Sequence, residues 1–234
     1  MNVTSDSAER VAAWRPLLPR EHGAYGELVF PTLSVMLLGR PTLAAISLAI
    51  ASFALFVAHE SVLVLLGQRG RRALATDGAR ARFGLALFCA MAAVFGTLGI
   101  SAMPSGTLHA IVPPLVLASV VVGFVIAKRE KTLVGEVFAA AALTAPAYPV
   151  AIGAGVSPMR AATVALLWIA CFTLSVLAVR GLIAMRKARS DATTARASAL
   201  VASIVLVASV VLAILHRLPT ALAFSIAPFS LASL

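Results

Sequence analysis

The chain predicts an all-α integral membrane protein of about eight transmembrane helices, laid out as two parallel four-helix repeats. Three observations predict it. Of the 234 residues, 61% are hydrophobic and 12% charged, with mean hydropathy +1.00, whereas a soluble domain is about half apolar and a quarter charged. Apolar runs long enough to cross about 30 Å of hydrocarbon as helices follow one another along nearly the whole chain. Basic residues, finally, gather in every second connection between those runs.

The runs fall at 23–39, 42–67, 84–102, 107–127, 133–154, 160–183, 197–216 and 218–234. The last is short and carries Pro228, so a partial or interfacial crossing is an alternative there. Residues 1–22 hold Asp6, Glu9, Arg10, Arg15 and Arg20 but no apolar core of signal-peptide length, which predicts a tail on the cytoplasmic side. Residues 23–234 then form a single transmembrane domain, with repeat halves at 23–127 and 133–234.

A net charge of +10 raises nucleic acid as a partner, and the positions of the charges exclude it. The tail carries Arg10, Arg15 and Arg20; the second connection carries Arg69, Arg71, Arg72, Arg80 and Arg82. The fourth carries Lys128, Arg129 and Lys131, and the sixth Arg180, Arg186, Lys187, Arg189 and Arg196. Only Arg40, Arg160 and Arg217 fall elsewhere. This is the positive-inside pattern of a plasma-membrane protein of bacterial type with its amino terminus inside. Cys89 and Cys171 lie within apolar runs without metal-ligand spacing, and read as packing residues.

The two long basic connections, 68–83 and 184–196, resemble each other, and Gly26-Glu27 in "YGELVFPTL" matches Gly135-Glu136 in "VGEVFAAAAL". These matches suggest the parallel repeat, in which both first glutamates approach the cytoplasmic face.

Three acids interrupt the apolar runs: Glu27, Glu60 and Glu136. At 1.5 Å per residue each lies within about 14 Å of a cytoplasmic basic cluster. His22 and His59 share that half, while His109 and His216 belong to the other. A carboxylate in hydrocarbon costs a few kcal/mol and therefore pairs or turns inward, so the groups predict a shared polar cavity open to the cytoplasm. Glu60, His59 and Glu27 are the candidate catalytic residues; His22, Glu136, Arg69, Arg71, Arg72 and Arg180 are candidates for binding a ligand. Plainer readings stand beside these. Glu27 can pair with Arg20, Glu136 can be an acid favoured by the dipole of a first helical turn, and Arg180 can simply open a loop. The Arg69, Arg71, Arg72 cluster serves topology or holds an anionic head group.

The segment "PREHGAYGELVFP" resembles the opening signature of the YwiC-like membrane proteins, a bacterial family without an established activity; "HESVLVLLGQRGRRA" and "KTLVGEVFAAAAL" are similar to its later blocks. The arrangement is also similar to the UbiA superfamily of intramembrane prenyltransferases. That second resemblance implies two four-helix halves, a cytoplasm-facing pocket, Mg²⁺ as cofactor and a prenyl diphosphate as ligand, held by Asp-rich motifs ending the second and sixth spans. Here those positions hold His59-Glu60 with Arg69, Arg71 and Arg72, and Arg180 with Arg186 and Lys187, and no Asp-rich motif. The resemblance therefore implies scaffold more than chemistry.

Three function classes follow. One is a membrane-embedded enzyme or lipid-binding protein that takes an isoprenoid or other amphipathic anionic ligand, with membrane lipid as partner. The second is a proton-coupled transporter. The third is a non-catalytic assembly partner, which leaves the deep Glu60 unexplained.

Overall fold

The computed structural model describes residues 17–19 and 21–186, with His22 and residues 181–186 described by backbone alone. The seventh and eighth expected spans, together with Arg20, Arg189, Arg196, His216 and Arg217, lie outside the described residues. Seven α-helices and one 3-10 turn make up the described part. They are α1 (His22–Leu38), α2 (Leu43–Leu65), α3 (Arg71–Ser101), the 3-10 turn Leu108–Ile111, α4 (Val112–Ile126), α5 (Leu133–Thr144), α6 (Ala147–Gly153) and α7 (Pro158–Arg186). Five segments are long and apolar enough to cross a membrane: Leu43–Leu65, Arg71–Ser101, Leu108–Ile126, Leu133–Gly153 and Pro158–Arg180. The first helix is the shorter apolar one.

The second connection differs from its expected form. Residues 71–83 are not a loop but the first turns of α3. Alanine and arginine are among the strongest helix formers, and Asp77 pairs with Arg80 one turn on, at 2.9 Å. The run read as topology charge therefore stays helical into the water. The expected span 133–154 is also broken, ending as α5 at Thr144 and restarting as α6 at Ala147. Pro146 stands in the gap and has no N–H to give to the carbonyl of Ala142.

Packing follows residue size. Every buried residue of α3 is small, namely Gly78, Ala81, Gly84, Ala92 and Gly99, so α3 lies close along α2. A Cβ at Gly99 would stand 2.8 Å from Leu48, and one at Gly84 would stand 3.0 Å from the Ser61 hydroxyl. Close approach of this kind is how helices associate where lipid offers no hydrophobic drive. The main core joins α1, α2, α6 and α7 through Val35, Leu48, Val150, Ile152, Trp168 and Leu174. The Trp168 indole donates to the Ser34 hydroxyl at 2.9 Å and stacks on Phe172. In contrast α3 and α4 turn most of their apolar side chains outward, Val94, Leu115, Val116 and Ile126 among them, as faces in hydrocarbon do.

Pro31 sits inside α1 and cannot donate to Glu27 four residues back. The Thr144 hydroxyl reaches that carbonyl from α5 at 3.3 Å, while also bonding Ala140 at 2.8 Å. A neighbouring helix thus repairs a gap that in lipid would stay unsatisfied.

Three helices end in the same cap. At Gly67 (φ 71°), Lys128 (φ 55°) and Gly155 (φ 82°) the chain turns left-handed, and the next N–H closes back five residues, from Gln68 to Leu63, Arg129 to Phe124 and Val156 to Ala151. This is the Schellman motif, whose left-handed residue is ordinarily glycine. Lysine fills it once.

The α1–α2 turn is pinned to the α6–α7 turn. The Arg40 amide donates to the Ala154 carbonyl at 2.9 Å and the Thr42 hydroxyl to the Gly153 carbonyl at 2.6 Å. A Cβ on Gly39 would run into the Ala154 carbonyl.

Candidate functional site

The opposite end of the bundle holds the polar residues. Glu60 lies four-fifths of the way along α2, where the side chain is 4% exposed. The Schellman turn after α2 swings Arg69 back over it. The Arg69 guanidinium donates Nε to Glu60 Oε1 at 2.9 Å and Nη2 to Oε2 at 2.6 Å, a fork that fits both carboxylate oxygens. Nη2 also reaches Glu21 at 3.5 Å. These bonds hold the Arg69 guanidinium above its ordinary range, so it stays cationic wherever the protein is folded.

His59 is partly buried beside this pair, where the charges of Glu21, Glu60, Arg69 and Glu130 all bear on its ring. Gln68 donates its side-chain amide to the Val125 carbonyl, which joins the α2–α3 turn to the end of α4. The α4–α5 turn, residues 127–132, then folds onto the start of α5. Thr132 caps that helix by accepting from the Gly135 amide at 3.1 Å, and a side chain at Gly135 would stand 2.5 Å from the Arg129 carbonyl.

A second fork closes the other side. Arg180 on α7 donates Nε to Glu136 Oε2 and Nη2 to Oε1, both at 2.7 Å, and Nη2 also binds the Lys131 carbonyl. Both partners are about one-third exposed, so this pair is far better hydrated than Glu60 with Arg69. The α2–α3 and α4–α5 turns, Glu21 ahead of α1, and α7 therefore meet at one end.

The sequence candidates divide into two sets. Glu60, His59, Arg69, Glu136 and Arg180 gather at this end. Arg71 and Arg72 stand exposed at the start of α3 beside it, as do Lys128, Arg129 and Lys131 on the α4–α5 turn. Glu27 is set apart, one helix turn deeper on α1, and its carboxylate has no hydrogen bond or ion pair among the described residues. The His22 side chain lies outside the description. Sequence reasoning missed Glu21, Gln68 and Glu130. Gln68 Oε1 and Glu130 Oε2 are shielded from solvent without a hydrogen-bond partner among the described residues; a lone glutamate in a turn otherwise made of Lys and Arg was the available signal for the second.

Magnesium, implied by the UbiA resemblance, needs several free oxygen ligands in octahedral array. The residues here do not fit it. Both oxygens of Glu60 and both of Glu136 are taken by guanidinium, and no group of three His, Cys, Asp or Glu side chains is gathered as a metal site among the described residues. An open hollow of about 440 Å³ lies elsewhere, on the outer face of α4 among Val112, Leu115, Val116, Ser119 and Val120, away from the α4 end that Gln68 binds.

Long apolar helices, outward apolar faces and one polar end define a multi-pass helical membrane protein. The profile of the YwiC-like protein family matches residues 18–151, which spans the signature, both helices of the Glu60 site and the Glu136 turn. The chain belongs to the YwiC-like family. No curated protein and no solved structure matches it.

Proposed function

We propose that the protein binds an amphipathic anionic ligand, an isoprenoid or acyl chain bearing a phosphate head, at the polar end of the bundle. One observation carries this reading. The carboxylates of Glu60 and Glu136 are already neutralised by Arg69 and Arg180, so Arg71, Arg72, Lys128, Arg129 and Lys131 remain as an exposed cationic rim directly beside the apolar helices. Such a rim next to hydrocarbon attracts phosphate heads at about 1 kcal/mol per Lys or Arg. Lys128 adds support. It occupies a left-handed cap position that Gly67 and Gly155 fill elsewhere, at a conformational cost of about 1–2 kcal/mol, and strain retained at a turn favours a role for the residue that carries it.

In this reading the rim faces the cytoplasm of a bacterial-type inner membrane, with the amino terminus on the same side, and Glu27 and Glu136 are counterparts in a parallel repeat of about eight spans. Glu60 and His59 lie at the base of the site, and Glu27 stands apart from it on α1. The reading is of binding; prenyl transfer would require the metal for which the residues are unsuited.

The test is thermal unfolding of the full chain with farnesyl diphosphate and with phosphatidylglycerol, against phosphatidylcholine of matched chains. A ligand that binds only the folded state raises the midpoint by mass action. The expected result is a rise with the anionic ligands that shrinks in Lys128→Gly, although that variant is itself the more stable without ligand. Equal midpoints with all three would end the proposal.

Transport is a second reading, favoured by one observation: the break between α5 and α6 lies against Pro31 of α1 and Glu27, whose carboxylate is unpaired among the described residues. Interrupted helices around an intramembrane acid are the usual setting of a transported substrate. Uptake into proteoliposomes that an uncoupler abolishes, and that Glu27→Gln lacks, would favour it over binding alone.

A further inference from the structure

A guanidinium has two edges that fit the oxygens of a carboxylate or phosphate, one made by Nε with Nη2 and one by Nη1 with Nη2. Glu60 fills the first edge of Arg69 with two bonds, at 2.9 and 2.6 Å. The second edge is nearly empty. Nη2 has one hydrogen left for Glu21 Oε1, 3.5 Å away, and Nη1 has no partner among the described residues. The Glu21 side chain is 62% exposed, and an exposed pair this long contributes little. Its carboxylate therefore stands on the edge that an oxyanion would take, and is held there weakly.

Glu21 is also placed to let go. It is the N-cap residue of α1, where its carbonyl accepts from the Ala24 amide at 3.1 Å, but its side chain makes no cap bond. It reaches instead to Arg69, 48 residues on. Once released, the carboxylate remains at the positive end of the α1 dipole, which favours an acid there. Both positions of the side chain are supported, and passing between them breaks one weak contact. The Arg69 guanidinium need not move, because Glu60 anchors it by the other edge.

We propose that Arg69 holds the phosphate of the ligand on its Nη1–Nη2 edge, and that Glu21 is a built-in competitor for that edge, displaced when the ligand binds. This rests on the lipid-binding reading above and adds to it a residue that grips the head group and a contact that restrains binding. A phosphate offers two oxygens to the fork, and a two-pronged charged pair is stronger than one contact at 3.5 Å. The exchange therefore favours the ligand. Arg71 and Arg72, exposed just beyond, supply charge around the phosphate, whereas Arg69 supplies donors fixed in place. The shared chemistry, a phosphate group, exists in amphiphiles and in inorganic phosphates, and the outward apolar helices beside the rim favour the amphiphile.

The experiment titrates the full chain in detergent micelles with farnesyl diphosphate, phosphatidylglycerol and inorganic diphosphate, reading occupancy by native mass spectrometry. The proteins are the parent, Glu21→Gln, Arg69→Lys and the double variant. The expected result is that Glu21→Gln binds both amphiphiles about two- to fivefold more tightly than the parent, the factor one exposed ion pair is worth. A damaged fold lowers affinity, so a gain reports the loss of a competitor. Arg69→Lys keeps the charge without the planar fork and binds both about tenfold more weakly, as loss of one charge-assisted hydrogen bond predicts. In that background Glu21→Gln changes affinity by less than about twofold, the scatter of independent sites. Glu21→Gln no tighter than the parent overturns this inference and leaves the lipid-binding reading standing, as does Arg69→Lys with parental affinity. An equal gain in both Arg69 backgrounds also overturns it, the effect then being a general loss of negative charge. Inorganic diphosphate held as tightly as farnesyl diphosphate overturns the choice of an amphiphile, and no binding of any of the three by the parent overturns both readings.

Discussion

Replacing Arg69 by alanine strands a carboxylate. Glu60 is 3% exposed and accepts both of its close hydrogen bonds from that one guanidinium, at 2.9 and 2.6 Å. Removing one partner of a buried pair costs about 3–5 kcal/mol, because the other charge stays desolvated and unpaired. The arginine side chain is 22% exposed, so water enters part of the space it leaves, which sets the expectation near the lower bound, about 3 kcal/mol. For a chain of this length that corresponds to a fall of about 6–12 °C in the unfolding midpoint. The reverse substitution, Glu60→Gln, leaves a partly hydrated guanidinium and costs less. The double variant recovers much of the loss, since no uncompensated charge remains, and the cycle of four proteins isolates the coupling. The assay is unfolding in mixed micelles followed by circular dichroism. Arg69→Ala within about 0.5 kcal/mol of the parent, a difference that any exposed substitution produces, would refute the reasoning.

Further expectations concern other contacts. Thr144→Val removes the hydroxyl that serves the Glu27 carbonyl and costs about 1 kcal/mol; in a Pro31→Ala background, where α1 regains its own N–H, the same change costs less, as paired unfolding curves measure. Gly39→Ala drives a methyl group into the Ala154 carbonyl and lowers stability by about 1–3 kcal/mol, read as a midpoint shift. Arg180→Ala breaks a fork whose members are each about one-third exposed and costs about 1 kcal/mol or less, so it unfolds well above Arg69→Ala. In a Cys89→Ser background, single cysteines at Arg72 and Lys128 react with a membrane-impermeant maleimide from one side of a vesicle and a cysteine at Ser105 from the other; labelling of all three from one side would break the assignment of ends.

What the sequence made legible was set by regular physics. Apolar runs of fixed length marked the helices, and the acids that interrupted them marked the polar end, because both signals are local. The helical start of α3 was not legible because its arginines carry two signals, topology and helix propensity, and their clustering displays only the first. The pairing of Glu136 with Arg180 spans 44 residues, and no spacing rule reaches that far. Glu130 was hidden for a related reason. A glutamate between Arg129 and Lys131 looks neutralised on paper, yet the fold points those cations outward and leaves its Oε2 without a donor.

The bonds from Arg40 and Thr42 to Ala154 and Gly153 tie two turns at the end far from the polar groups. With Gly39 allowing backbone to lie on backbone there, the two turns are bolted to each other. The Arg69 fork closes between α2 and the turn that follows it, and the Arg180 fork joins α7 to α5, so the polar end and the turn end are fastened by different means: ion pairs at one, backbone carbonyls at the other.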